Sequence, residues 1–129
     1  MYLLDTNACI DFLEARSAPL AKRIEANFDA LAISTVTAAE LLVGPKTSED
    51  PKGDARKLDA FIASVEVVAF DLSAARIYGE IIREIGVERK SFDRLIGVQA
   101  VTLGFTLVTR NGKHFADVPG LRVENWTVA

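Results

Sequence analysis

Four positions in this 129-residue chain put an oxygen-rich side chain where chemistry could be done. Asp5 ends the run Leu3-Leu4-Asp5-Thr6-Asn7. Glu40 stands in Thr35-Val36-Thr37-Ala38-Ala39-Glu40-Leu41. Asp93 opens an apolar segment, Phe92-Asp93-Arg94-Leu95-Ile96, and Asn111 follows Val108-Thr109-Arg110. Each has an ordinary alternative. Asp5 and Asp93 are good helix N-caps, favoured further by the helix dipole. Glu on a helix is usually a solvated charge, but Val36 and Val43 lie at i−4 and i+3 of Glu40, and burying an unpaired charge is costly. Asn111 before Gly112 is a common turn signal. Taken together, they set three carboxylates and one amide near strand ends or helix starts. Such a cluster repels itself when empty, and a hard divalent cation with oxygen ligands and retained waters relieves it. The chemistry is that of a candidate Mg²⁺ or Mn²⁺ site.

The elements that must hold these groups follow from hydrophobic periodicity. Short apolar runs at Tyr2-Leu3-Leu4, Leu31-Ala32-Ile33, Val65 to Phe70, Phe105 to Val108 and Leu121-Arg122-Val123 read as strands. Helical patterns lie between them: Asn7 to Ala15, Pro19 to Asn27, Val36 to Val43, Lys57 to Ala63, a clear one from Ala74 to Ile85, and Asp93 to Gly104. Asp71 or Ser73 caps the clear one and Gly86 stops it. The polar stretch Thr47 to Asp54 reads as an exposed loop. Strands alternating with helices predict a three-layer α/β/α sandwich on a mainly parallel central sheet, as one domain over residues 1–129. In such sheets ligands gather at the carboxyl ends of strands, where Asp5 and Asn111 fall.

Composition narrows the classes. The chain is 50% apolar with a net charge of −3, which excludes a mainly disordered chain. A chain of this size buries roughly two thirds of its unfolded surface, enough for one core. One Cys excludes an internal disulfide, and one Cys with one His excludes a zinc site built from several such ligands. Eighteen Asp and Glu leave oxygen as the ligand in supply. The apolar stretch Leu95 to Val108 is interrupted by polar residues and falls short of the roughly 18 needed to span a bilayer. With no basic, apolar leader after Met1, a cytoplasmic location is expected. Cys9, in Ala8-Cys9-Ile10, reads as core.

The order of these segments resembles PIN domains, and more closely the VapC toxins of bacterial toxin–antitoxin pairs. The likeness runs from Leu3-Leu4-Asp5-Thr6-Asn7 through Glu40, Asp93 and Val108-Thr109-Arg110-Asn111 to Gly120-Leu121-Arg122-Val123-Glu124-Asn125-Trp126. Each motif is short, but their order and spacing together are specific. The resemblance implies a metal-dependent ribonuclease whose acidic quartet falls on Asp5, Glu40, Asp93 and the position of Asn111. Asn in the fourth place removes one negative charge, which weakens the case for a second metal and leaves a single-metal site intact. Thr6, Asn7 and Thr109 resemble the polar residues that brace such a site. Mg²⁺ or Mn²⁺ would activate the water that cleaves the phosphodiester, leaving a 5′-phosphate and a 3′-hydroxyl.

The resemblance also implies partners. RNA, structured RNA such as transfer RNA in particular, needs positive charge around the acidic centre. Arg89, Lys90 and Arg94 flank Asp93, while Arg110, Lys113 and His114 flank Asn111; a solvated rim is the competing account. A VapB-type antitoxin is implied, lying over a groove whose candidate residues are Phe12, Leu13, Leu20, Ile24, Leu58 and Phe61. Rows at this spacing also make plain core. DNA is expected only through the antitoxin. The family commonly forms homodimers or hetero-oligomers with the antitoxin, and a very apolar sixth helix agrees with that. Three rivals differ at named residues. A haloacid-dehalogenase-type phosphatase wants a second Asp where Asn7 stands. A receiver domain wants an acidic pair at its first strand and a Lys after a late one, and neither is clear. A catalytically inactive PIN-like binding module has no need of three intact carboxylates.

Overall fold

Side chains along a strand alternate between the faces of a sheet. Five strands use that alternation here: β1 (Tyr2–Leu4), β2 (Leu31–Ser34), β3 (Glu66–Val68), β4 (Thr106–Val108) and β5 (Val123–Glu124). The computed structural model describes residues 1–44, 47–86 and 92–128. The strands form one sheet in the order β3-β2-β1-β4-β5, every pair parallel. Leu3 lies opposite both Ala32 and Leu107, so those three share a face. Leu4 lies opposite Val108 and shares the other face with Leu31 and Ile33.

Each face carries its own core. Leu4, Leu31, Ile33 and Val108 pack with Ala8 and Cys9 of α1 (Thr6–Leu13), Leu20 and Ile24 of α2 (Ala18–Ala26), Phe61 of α4 (Pro51–Ser64) and Trp126. Leu3, Ala32 and Leu107 pack with Ile96 and Ala100 of α6 (Phe92–Leu103) and with Phe115. Helix α5 (Leu72–Ile85) lies against α6, while α3 (Thr35–Val43) touches both α1 and α6. This is the expected three-layer sandwich. Each fully buried Leu or Ile contributes about 1.5–3 kcal/mol by leaving water.

The structure corrects the sequence reading at three places. Helix α4 begins at Pro51, inside the stretch expected to be a loop: the Asp50 carboxylate accepts from Gly53 N at 3.0 Å, and Pro51 has the fixed φ that suits a first turn. Strand β5 starts at Val123, because Leu121 turns its side chain into the α6-side core. The apolar character of α6 is explained within the chain. Ile96, Gly97, Val98, Gln99 and Ala100 are buried between the sheet and α5, so this helix gives no argument for a second copy. Gly86 ends α5 in the left-handed region, as expected. Among the described residues, no helix is long and apolar enough to cross a membrane.

The strand order places the site. Sequence order reverses direction between β1 and β4, and in open parallel sheets the crevice at such a switch point is where ligands sit. Asp5 leaves the carboxyl end of β1 there, and Thr109 leaves that of β4.

Candidate active site

Asp5 is both cap and candidate ligand. Its N–H donates to Val108 O at 3.1 Å, and one carboxylate oxygen accepts from Ala8 N at 2.7 Å, capping α1. The Thr109 hydroxyl donates to the same carboxylate. The residue is 2% exposed. Burial pushes its carboxyl above the ordinary range. The bonds from Thr109 and Ala8 oppose this, the Asp93 charge adds to it, and the Arg110 charge opposes it again. The ionised form of Asp5 is therefore under-compensated, and Asp93 is close enough to contribute.

Glu40 is reached from the same turn. The Thr6 hydroxyl lies 2.6 Å from Glu40 Oε1 and 3.2 Å from the buried Thr37 hydroxyl, tying the start of α1 to α3. The apolar flank expected around Glu40 is corrected by half: Val36 is partly buried, but Val43 is 84% exposed. What fixes Glu40 is a hydroxyl. Asn7, half-buried, occupies the first turn of α1 beside Thr6.

The opposite wall comes from α6 and from the segment after β4. Asp93 is in the first turn of α6, with His114 Nδ1 3.7 Å from its Oδ2. Thr109 is buried and links two neighbours: its hydroxyl donates to Asp5 and accepts from Asn111 N at 3.0 Å. Asn111 leads into a short 3-10 turn, Gly112–Phe115, which its side chain does not cap. Of the six basic candidates, Arg89 and Lys90 lie outside the described residues. Arg94 forms an ion pair with Asp117, its side chain only 19% exposed, so its charge braces α6 against the segment after the 3-10 turn. Lys113 is exposed, and Arg110 reaches Asp11 at 3.3 Å.

Two residues went unremarked in the sequence. Thr37 is fully buried within the Thr6–Glu40 chain of bonds, and its i−3 spacing from Glu40 was the available signal. Asp11 is a buried carboxylate on α1 with no motif to announce it. The apolar row expected as a docking groove divides. Phe12, Leu13 and Phe61, with Phe28 and Lys57, line an open groove of about 400 Å³. Leu20 and Ile24 are 1% and 0% exposed and belong to the core, where no partner can reach them. Leu58 is partly buried against the same core.

Among the described residues, no three His, Cys, Asp or Glu side chains converge into a closed metal cage. An open site is what the donors fit. Mg²⁺ commonly takes one or two carboxylates and keeps several waters. Asp5 and Asp93 could supply such a pair, both being oxygen donors whose mutual repulsion a cation would relieve. Cys9 is no ligand: burial, and then the Asp5 charge, push its thiol well above its ordinary value.

Known proteins resemble this chain over nearly its whole length. The family model described as PIN domain matches residues 2–121. The tRNA(fMet)-specific endonuclease VapC of Shigella flexneri is 32% identical over 129 residues, covering 98% of each chain. Ribonuclease VapC2 of Rickettsia felis is 33% identical over 131 residues, again covering 98% of each. Among solved structures, DNA-bound VapBC from Salmonella typhimurium superposes with a TM-score of 0.86 at 30% identity, covering 97% of each chain. With a family model matching residues 2–121 and relatives above 30% identity over nearly the full length, the chain belongs to the PIN domain family and, within it, to the VapC proteins.

Proposed function

We propose that this protein is a divalent-metal-dependent endoribonuclease, the toxin of a VapBC-type pair. It would cut structured RNA of the transfer RNA class and so halt translation in the cytoplasm. The observation that carries the reading is the buried Asp5 carboxylate, held by the Thr109 hydroxyl and the Ala8 N–H and opposed by the Asp93 charge. Full burial of a self-repelling carboxylate at a sheet switch point is costly unless a cation uses it.

A bound Mg²⁺ or Mn²⁺ supplies an acidified water and charge neutralisation at the scissile phosphate. The chain's own residues do the rest. Asp5 and Asp93 would hold the ion. Two hydrogen bonds orient Asp5, so its remaining lone pairs keep one direction. Glu40, oriented by Thr6, stands as the carboxylate that takes a proton from the attacking water. Asn111 is tied to Thr109 and adds a neutral oxygen donor. Arg110 and Lys113 meet RNA phosphates, and Arg89 and Lys90 are assigned the same role from sequence. A VapB-type antitoxin would lie in the groove of Phe12, Leu13 and Phe61, which is apolar and carries Lys57 at its edge. Promoter DNA would be met through that antitoxin.

The test is to incubate antitoxin-free protein with total bacterial RNA in Mg²⁺, Mn²⁺ or EDTA, beside Asp5→Asn, and to map RNA ends by sequencing. Discrete metal-dependent cuts that the variant lacks are expected. No cuts by the folded wild type on RNA of its own host would favour an inactive binding module.

A further inference from the structure

Asp11 has no part in the site as built so far, yet it is one of the most buried charges in the molecule. Its side chain is 3% exposed, and its Oδ1 receives no hydrogen bond. A carboxylate in that position needs cations. Two arginines provide them. Arg16 Nη1 stands 3.5 Å from Oδ1, at the end of α1, and Arg110 Nη1 stands 3.3 Å from Oδ2. The two arginines differ in where they come from. Arg16 is local and also pairs with Glu14. Arg110 arrives from the far side of the sheet switch point, directly after Thr109, whose hydroxyl holds Asp5. Its side chain remains 44% exposed. Arg110 also contributes a favourable charge at Asp5. One guanidinium therefore pairs with a buried anchor, remains partly open to solvent, and is carried by a backbone position between Thr109 and Asn111. The planar fork allows this, because its five N–H donors can serve two oxyanions at once.

We propose that Asp11 is a positioning residue: it grips one edge of the Arg110 guanidinium so that the other edge is held at the mouth of the site as a preset phosphate clamp. The inference rests on the nuclease reading above and adds to it a residue outside the acidic quartet. It accounts for a buried carboxylate on a helix whose other buried positions are Thr6, Ala8 and Cys9. It also explains why an arginine stands at position 110, since a lysine is a point charge and cannot bridge two partners with fixed geometry.

The sign of one substitution separates this from a structural role. Asp11→Asn removes the negative charge that offsets Arg110. By simple electrostatics it should tighten RNA binding. If Asp11 positions Arg110, it should weaken binding. The measurement is the affinity of the full chain for a fluorescein-labelled RNA stem-loop, over a salt series, in EDTA and in Ca²⁺. Asp11→Asn is expected to bind about fivefold more weakly at low salt, with a slope of log Kd on log salt reduced by about 1, the loss of one phosphate contact. Arg110→Gln should do the same, and the double variant should be no worse than either. Arg16→Gln should bind as wild type. Arg110→Lys keeps the charge at a partly exposed position, so it tests the bridge even if Asp11→Asn does not fold; weaker binding is expected there too. Unchanged or tighter binding by a folded Asp11→Asn, or wild-type binding by Arg110→Lys, overturns the proposal. Wild-type protein that binds the stem-loop in neither buffer overturns the nuclease reading, and the inference with it.

Discussion

At the scale of single residues, Asp5 carries opposed demands. As an N-cap it stabilises α1, which is worth about 1 kcal/mol. As a buried carboxylate near Asp93 it costs stability whenever it is ionised. Its folded-state pKa is raised above the unfolded value, so its contribution to stability is greatest below that unfolded value and is lost as pH rises through the folded one. The penalty therefore sets in as pH rises. Asn caps as well as Asp and carries no charge. Asp5→Asn should therefore melt higher than wild type in EDTA at neutral pH, while losing RNA cleavage. A lower melting temperature would mean that the carboxylate is compensated in a way the Thr109 and Ala8 bonds do not explain. Thr6 makes a second residue-scale case. Thr6→Val keeps the volume but releases Glu40 and leaves the Thr37 hydroxyl without its neighbour. A positioned general base contributes about 10²–10⁴-fold, and losing the hydroxyl that orients Glu40 should forfeit about 10–100-fold of it. Metal-dependent cleavage should fall in that range with the fold unchanged by circular dichroism. Activity within twofold of wild type would show that Glu40 needs no orientation.

At the scale of elements, the site depends on how closely α6 approaches the 3-10 turn after β4. Gly97 makes that approach possible: a Cβ there would stand 2.7 Å from Cδ1 of Phe115, a buried ring next to His114. Gly79 of α5 is the natural control, with nothing within 4 Å of its would-be Cβ. Gly97→Ala should destabilise by about 1–3 kcal/mol through overpacking. Gly79→Ala should stabilise by up to about 1 kcal/mol through helix propensity. Denaturant melts of the two variants check both signs, and similar values for the pair would rule out the tight α6 contact. Legibility in the sequence follows the same division. The first four strands and the parallel sheet were readable because those strands lie in short apolar runs, and β1, β2 and β3 lead directly into helical periods. Asp5 was readable because it comes directly after a strand. The start of α4 was not, because Asp50-Pro51-Lys52-Gly53-Asp54 has the composition of a loop and its cap shows only in three dimensions. Leu20 and Ile24 could not be told from groove residues, since a helix facing a sheet and a helix facing a partner show the same period. Asp11 was invisible because one of the two arginines paired with it, Arg110, is distant in sequence.

At the scale of the whole molecule, the acidic centre trades stability for function, and a cation should reverse the trade. Asp5 caps α1 on one side of the sheet and Asp93 opens α6 on the other, so a cation held by both would tie the two helical layers together. Any ligand that binds only the folded state stabilises it by RT ln(1 + [L]/Kd), about 1.4 kcal/mol at tenfold excess over Kd. Mg²⁺ or Mn²⁺ should raise the melting temperature of wild type at neutral pH, and should leave Asp5→Asn nearly unmoved. Acid should act on both terms in opposite directions. As pH falls through the raised Asp5 value, the metal-free protein regains the stability that ionisation had cost it, while the protonated carboxyl stops binding metal. The gap between the melting curves with and without metal should therefore close on acidification. It should start to close above the pH at which an ordinary aspartate titrates, because the Asp5 carboxyl is shifted upward. A calorimetric series in Mg²⁺ and in EDTA, from neutral to acidic pH, measures that gap directly. A gap that persists unchanged below the ordinary aspartate range would mean that the stabilising cation binds elsewhere than at Asp5.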